Sequence, residues 1–310
     1  MHIILVNPRG FCAGVKMAVE ALTVALNRFG PPIYVYHEIV HNSWVVEEFR
    51  RQGVRFVDYI NAVPPGSRLL FSAHGVSPAI RKIAEEQKLY TIDATCPLVN
   101  KVHKEVIRLA KEGYTILLLG HRGHDEIIGI VGEAPDTILV VETLAEIDAI
   151  HLPPNEKPAY LTQTTLSVDK AQSMITVLKQ RFPEIVGPPT SDICYATQNR
   201  QDAVKELCQE ADVVLVIGSV SSSNSRRLAE CAAVPNVRSE LVDGPDDIDF
   251  DWFNGSETVL VTAGASAPER IVCACIDKLR SRFETTIEER VIREERTVFQ
   301  LPDSLVIRSQ

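Results

Sequence analysis

Short apolar runs alternate with amphipathic helical patterns along most of the chain. The first run, Ile3 to Val6, predicts a buried strand, and the spacing after it predicts a helix from about Gly14 to Phe29. Later helical patterns are followed by equally apolar strands in the stretches IYVY, YTILLL and DVVLVI. Strands that alternate with helices predict parallel sheets flanked by helices, so the sequence indicates an α/β fold.

A cysteine recurs in the turn between a strand and a helix. Cys12 stands in NPRGFCAGVK, Cys96 in DATCPLV after a short strand, and Cys194 in SDICYAT, again with a strand expected before it. The three are about 90 residues apart, which indicates an internal repeat. After each cysteine come a helix, an apolar strand with polar residues at its end, and a second strand and turn. The sequence therefore predicts three repeated α/β units.

We expect these units to be three domains, each with a small, mostly parallel sheet and flanking helices. The N-terminal strand should join the third sheet, because it precedes Cys12 as other strands precede the later cysteines. The predicted bounds are residues 14–96, residues 97–193, and residues 194–283 together with strand 1–13, followed by a C-terminal tail of residues 284–310.

Polar side chains gather where the predicted strands end. Ligands of parallel sheets bind beyond these carboxyl ends, so an arrangement of the three units around a threefold pseudo-axis would bring the side chains to one site. Several would lie at helix N-termini, which favour phosphate, and a phosphate shifts neighbouring histidines towards the charged form. The set fits a diphosphate held without a metal. Its members are His41, His74, His124, Thr164, Thr165, Ser222, Ser223, Asn224 and Ser266.

Three thiolates that converge need a cation. Zinc with a further ligand or water would satisfy them, and so would an iron–sulfur cluster, because both accept soft thiolates. With only three cysteine ligands, a [4Fe–4S] cluster keeps one iron open to a substrate. Glu126, in HRGHDE, is a carboxyl close to the predicted site and a candidate proton donor. The other cysteines are interpreted as packing residues: Cys208, Cys231, Cys273 and Cys275.

Composition narrows the class of partner. The formal net charge of −9 argues against nucleic acid, because binding to a phosphate backbone usually requires a basic face. No apolar stretch approaches the length of a membrane span, and the N-terminal run is too short for a signal peptide. We expect a cytoplasmic protein that binds neither nucleic acid nor membrane and has no disulfide framework.

The residues alone leave two other functions to consider. The segment HEIVH, His37 to His41, matches a zinc hydrolase pattern, but that pattern requires a helix and this segment follows a strand-like run. A non-catalytic iron–sulfur carrier would need the cysteines without the His, Ser, Thr and Asn donors. Binding of an allylic diphosphate would separate a carrier from an enzyme.

The motifs GFCAGV, SAHG, ATCPLV, HRGHDE, TQTTLS, SDICYAT and SSSNS occur together over residues 1–283. In this order and spacing the chain resembles the 4-hydroxy-3-methylbut-2-enyl diphosphate reductase family (LytB or IspH). The resemblance implies a trefoil of three pseudo-threefold-related α/β domains around one central [4Fe–4S] cluster per chain, with Cys12, Cys96 and Cys194 as ligands. It also implies reductive dehydroxylation of the (E)-4-hydroxy allylic diphosphate to isopentenyl and dimethylallyl diphosphate, the last step of the non-mevalonate isoprenoid pathway.

Roles for individual residues follow from the same resemblance. Glu126 and Thr164 match positions near the substrate hydroxyl, with Glu126 delivering protons, and His124 joins them as a catalytic candidate. Electrons would come from a ferredoxin or a flavodoxin. The positions that match diphosphate contacts are His41, His74, His124, Ser222, Ser223, Asn224 and Ser266.

Overall fold

The computed structural model describes residues 1–306. None of its helices in this range is both long enough and apolar enough to cross a bilayer. The α-helices are α1 (Ala13–Phe29), α2 (Ser43–Arg51), α3 (Pro78–Glu86), α4 (Pro97–Lys111), α5 (Asp125–Val131), α6 (Leu144–Ala149), α7 (Val168–Arg181), α8 (Tyr195–Leu207), α9 (Ser223–Ala232) and α10 (Glu269–Arg280). The strands are β1 (His2–Asn7), β2 (Tyr34–Tyr36), β3 (Arg55–Val57), β4 (Arg68–Phe71), β5 (Tyr90–Asp93), β6 (Tyr114–Leu119), β7 (Ile138–Val141), β8 (Lys157–Thr162), β9 (Val213–Ile217), β10 (Arg238–Val242), β11 (Thr258–Ala263) and β12 (Thr286–Val291).

The strands form three sheets whose orders are β10-β9-β11-β1-β12, β3-β2-β4-β5 and β7-β6-β8. Every pair of neighbouring strands among the described residues is parallel. Parallel neighbours require a crossover connection, usually a helix, which explains the alternation of strands and helices in the sequence. The predicted α/β fold with three small parallel sheets is confirmed.

The chain is divided into two compact units. Unit 1 comprises Met1–Lys16, His41–Glu48 and Tyr195–Val298, and it contains the five-stranded sheet. Unit 2 comprises Met17–Val40, Phe49–Cys194 and Phe299–Gln310, and it contains the other two sheets. The division into three domains at 14–96, 97–193 and 194–283 stays a prediction.

The N-terminal strand lies inside the five-stranded sheet. Ile3 of β1 is opposite Val259 of β11 on one side and Ile287 of β12 on the other. β12 belongs to the segment 284–310 that the sequence assigns to a tail, so this segment starts with a strand that extends the sheet. Its last residues, 307–310, lie outside the described range.

Apolar clusters cover both faces of the five-stranded sheet. All of Val213–Ile217 is buried, as expected for a central parallel strand with helices on both sides. Because successive strand residues point to opposite faces, neighbours in sequence belong to different clusters. Ile3, Leu215 and Val261 lie in one cluster, and Ile4, Val214 and Leu260 lie in the other.

The four cysteines outside the turns differ in their surroundings. Cys208 and Cys275 are buried in apolar clusters, and Cys231 packs against one. Cys273 is exposed, so the packing interpretation is wrong for this residue. It is two positions before Cys275, about 200° around the helix, and a helix with one buried face turns that position towards solvent.

Candidate functional site

Each of the three cysteine turns contains the same type of backbone hydrogen bond. In each turn the cysteine precedes a helix, and its N–H donates to a carbonyl in the turn that follows a neighbouring strand. The repeat in the sequence is therefore visible in the local backbone of all three turns. The donor–acceptor distances are 3.1 Å from Cys12 to Ala265, 3.0 Å from Cys96 to Ala73 and 3.0 Å from Cys194 to Thr164.

The approach to Cys194 differs from the prediction. Cys12 follows β1 and Cys96 follows β5, but the residues before Cys194 form only an isolated bridge between Ala159 and Val186. The expected strand is absent from this described segment because Gly187, Pro188 and Pro189 interrupt it, and a proline has no N–H to donate to a sheet.

In unit 1, predicted site residues meet at the N-terminus of α9. Ser222 caps this helix, and its Oγ accepts the Ser225 N–H at 3.3 Å. The Asn224 Oδ1 accepts the Ala265 N–H at 2.9 Å. The adjacent Ser266 hydroxyl lies 3.5 Å from Ser222 Oγ. The α9 turn and the turn after β11 are therefore held together beside the backbone bond of Cys12.

Ser223 lies in the same helical turn. Its side chain is only 2% exposed, and its Oγ has no hydrogen-bond partner among the described residues. An unpaired buried hydroxyl costs free energy, and the first N–H groups of a helix also lack partners inside the helix. An oxyanion at this position would satisfy both kinds of donor.

Two glycines allow α9 to approach the sheet this closely. Gly218 directly follows β9 and Gly264 directly follows β11. A Cβ would lie 2.2 Å from the Ser225 Oγ at Gly218 and 2.0 Å from it at Gly264. Both positions therefore require the absence of a side chain.

Replacing Gly264 by Ala is expected to lower the free energy of unfolding by about 1–3 kcal/mol, because the new methyl group overpacks the contact with Ser225. Urea unfolding followed by circular dichroism measures the change. Gly123→Ala is the control, since nothing lies within 4 Å of a Cβ there. If Gly264→Ala were as stable as the control, the close packing of α9 would not depend on this glycine.

His41 lies in unit 1, and hydrogen bonds of its own carbonyl and of the residues that follow it fix this segment. Its carbonyl accepts the Ser266 hydroxyl at 2.9 Å. Asn42 is buried, and its Oδ1 accepts a backbone N–H of the first turn of α2 at 3.1 Å. The Trp44 indole N–H donates to the Asp243 carbonyl at 2.8 Å. Asn42 is not among the residues predicted from the sequence, although an Asn directly before a helix is a typical N-cap.

In unit 2, the rings of His74 and His124 are neighbours, with centroids 5.7 Å apart and perpendicular planes. His124 caps α5, and its Nδ1 accepts the Glu126 N–H at 3.1 Å. An imidazole that accepts through Nδ1 carries its proton on Nε2. In this arrangement the Nδ1 atom of His124 is an acceptor at the N-terminus of α5.

Glu126 is 1% exposed, so it is not a solvated helix residue. One carboxylate oxygen accepts the Thr164 N–H at 2.7 Å and the other accepts the Thr164 hydroxyl at 2.8 Å. The Thr164 carbonyl in turn accepts the N–H of Cys194. Thr164 therefore connects the carboxylate to a cysteine turn. The neighbouring Thr165 accepts a hydrogen bond from the Gln163 amide at 3.1 Å.

Two buried residues that support these turns were missed. Gln163 accepts the His121 N–H at 3.1 Å and so joins the loop before α5 to the turn after β8. Asp192 accepts the Thr162 N–H at 3.1 Å and lies 3.3 Å from Lys101 Nζ. Burial raises the pKa of Asp192, and the opposing effects of Thr162 and Lys101 are smaller. The sequence around these polar residues has no periodic pattern from which their burial could be predicted.

The segment HEIVH is not helical. Residues 37–41 are an irregular connection between β2 and α2, and His37 has a φ of +58°, outside the right-handed helical region. The zinc hydrolase pattern needs its two histidines one turn apart on a helix. The alternative of a zinc hydrolase is therefore not supported.

The donors in the three turns fit a thiolate-bound metal group. Cys12, Cys96 and Cys194 are partly exposed, form no disulfide and stand at helix N-termini, where a thiolate is stabilised. Burial instead raises the pKa of the Cys208 thiol and raises that of Cys275 to about 12, which leaves both thiols inert. The turn cysteines therefore differ chemically from the cysteines of the cores.

Comparisons with known proteins agree on one family. The family described as LytB protein matches residues 3–280. A relative from Rhodopirellula baltica, "4-hydroxy-3-methylbut-2-enyl diphosphate reductase", is 57% identical over 98% of this chain and 96% of its own. A relative of the same name from Azoarcus is 49% identical over 98% of this chain and 97% of its own.

Solved structures give the same result. That of the E-1-hydroxy-2-methyl-but-2-enyl-4-diphosphate reductase from Plasmodium falciparum is 41% identical, covers 98% of this chain and 96% of its own, and has a TM-score of 0.95. A second solved reductase, described as the terminal enzyme of the non-mevalonate pathway, is 31% identical with a TM-score of 0.64, over 90% of this chain and 99% of its own. The chain belongs to the LytB family of 4-hydroxy-3-methylbut-2-enyl diphosphate reductases.

Proposed function

We propose that this chain reduces (E)-4-hydroxy-3-methylbut-2-enyl diphosphate to isopentenyl and dimethylallyl diphosphate, with loss of water. The observation that carries the proposal is the hydrogen-bonded series from Glu126 through Thr164 to the Cys194 turn. It connects a buried carboxyl group to a turn whose cysteine stands at a helix N-terminus. A proton-coupled reduction requires this combination of groups. A non-catalytic iron–sulfur carrier does not require a buried carboxyl group of this kind.

We propose that Cys12, Cys96 and Cys194 together hold one [4Fe–4S] cluster. When bound, this group supplies electrons and an iron that polarises the leaving hydroxyl, because three protein ligands leave the fourth iron open. The residues fit through their soft donors and their helix N-termini. Ferredoxin or flavodoxin is the proposed electron donor, and the cytoplasm the proposed location.

We assign the diphosphate to the donors of the predicted set. Ser222, Ser223 and Asn224 stand at the N-terminus of α9, where the helix dipole and open N–H groups favour an anion. The unpaired Ser223 hydroxyl is a donor already positioned for it. His124, which caps α5, is proposed as a further donor to the diphosphate. The remaining donors in this proposal are His41, His74, Thr165 and Ser266.

Binding the diphosphate fixes the position of the reacting carbon, and this orientation lowers the barrier to reaction. Glu126 would then hold the proton needed at the hydroxyl, and Thr164 would orient its carboxyl through two bonds. Overall, two electrons and two protons replace a C–O bond by a C–H bond and release water. The proton at the hydroxyl balances the leaving oxygen, and the second proton completes the new C–H bond.

The test is an anaerobic assay with the allylic diphosphate, a chemically reduced dye and cluster-loaded protein. Oxidation of the dye and the diphosphate products, identified by mass spectrometry, are measured together. We expect both products to appear in proportion to the dye oxidised. A loaded protein that consumes substrate without forming either isoprenoid diphosphate would reject the function.

A further inference from the structure

We propose that Arg200, completed by the carboxylate of Glu295, is a positioning residue that holds the Cys12 turn in its ligating conformation. The inference rests on the proposed function, since it takes Cys12 to be a cluster ligand. It adds a role for α8 and for the segment after β12 that the proposed reaction does not require. All of the groups involved lie in unit 1.

Arg200 is a fully buried cation, with 0% of its side chain exposed. Its Nη2 donates to the Gly10 carbonyl at 2.8 Å, two residues before Cys12. The same guanidinium contacts both oxygens of Glu295, at 3.0 Å and 3.3 Å. A buried charge is tolerated only when it is paired and hydrogen-bonded, so Glu295 allows Arg200 to remain beside the turn.

Gly10 is the point where the turn is fixed from both sides. Its N–H donates to the Ala263 carbonyl at 3.3 Å and its carbonyl accepts from Arg200, while its φ is +63°. A Cβ at this position would lie 3.1 Å from the Ala267 carbonyl oxygen. The backbone two residues before Cys12 is therefore held by two hydrogen bonds, and Arg200 supplies the one that comes from a helix rather than from the neighbouring strand.

The other two cysteine turns also have a basic side chain beside them. Lys101 Nζ donates to the Thr190 and Ser191 carbonyls at 2.8 Å and 2.9 Å, just before Cys194. Arg81 acts less directly, since it donates at 2.7 Å to the Asp93 carboxylate, which also accepts the N–H of the residue before Cys96. Arg200 differs from both in its complete burial, because the Lys101 and Arg81 side chains are partly exposed.

Glu295 brings the end of the chain into this arrangement. Asn199 of α8 also donates to Glu295, at 3.1 Å. Tyr195, the first residue of α8, lies beside Thr297 and Ala13, the residue after Cys12. Residues 295–297 therefore reach both sides of the Cys12 turn, through Arg200 before it and Tyr195 after it.

The test compares iron release from the anaerobic, cluster-loaded protein to a coloured iron chelator. The variants are Arg200→Met and the double variant Arg200→Met/Glu295→Met. Replacing both partners of a buried ion pair by apolar side chains is often neutral for stability, so the double variant should fold even if the single one does not. Both lack the donor to Gly10, and loss of a group that orients a metal ligand typically weakens metal binding about 10–100-fold.

We expect the double variant to unfold at a temperature close to that of the wild type but to release iron about 10–100-fold faster. Glu294→Gln is the matched control: Glu294 pairs with Arg296 in the same segment, both side chains are exposed, and iron release should not change. Wild-type release rates in a folded double variant would overturn the positioning role. A wild type that never takes up a cluster would instead overturn the proposed function.

Discussion

Replacing Glu126 by Gln is expected to lower turnover by about 10²–10⁴-fold, the range in which a positioned acid or base contributes. The substitution keeps the volume of the side chain and one oxygen that can accept the Thr164 N–H, but it removes the exchangeable carboxyl proton. Iron content and substrate affinity should remain close to those of the wild type. Single-turnover kinetics of the loaded variant, together with calorimetric binding of the diphosphate, would show this separation.

Glu257→Gln is the matched control. Glu257 is also a buried carboxylate that accepts two hydrogen bonds, from the N–H groups of Asn254 and Gly255, but it lies at the amino end of β11. Loss of a bidentate acceptor without any role in the reaction should leave turnover unchanged. Normal turnover of Glu126→Gln would show that the proton comes from another group.

Replacing Cys96 by Ser is expected to abolish cluster assembly and activity together. A serine hydroxyl is a hard, mostly protonated donor and a poor substitute for a soft thiolate. The fold itself should survive, because the backbone bond from residue 96 to Ala73 does not involve the side chain and Ser is a good N-cap for α4. Iron analysis after anaerobic reconstitution should fall from about four atoms per chain to far less.

Cys208→Ala provides the comparison for this result. Cys208 lies in the apolar cluster beneath α8, and burial raises the pKa of its thiol, so it has no ligating role. Its loss should cost only about 1 kcal/mol of stability and leave the iron content unchanged. If Cys96→Ser retained a full, active cluster, Cys96 would not be a ligand.

Much of the architecture follows from local patterns in the sequence. Val213–Ile217 is apolar at every position and becomes a central strand, and the helix after Cys12 begins within one residue of its predicted start. The strand expected before Cys194 does not form, because Pro188 and Pro189 have no N–H to donate to a sheet. Within the segment assigned to a tail, β12 is mostly exposed and carries few apolar residues, so its pairing with β1 is hard to predict from local pattern.

Local patterns in the chain predict the alternation of strands and helices, the three cysteine turns and the family, because each depends on residues that are close together in the chain. Which groups act on those turns depends on how the chain folds in three dimensions. Glu126 meets Thr164, and Arg200 meets Gly10, across long stretches of chain. A buried Glu and an exposed Glu look alike in sequence, since hydrogen bonds between distant residues leave no periodic pattern. Burial and pairing, which give Glu126 and Arg200 their chemistry, arise only when the sheets have packed.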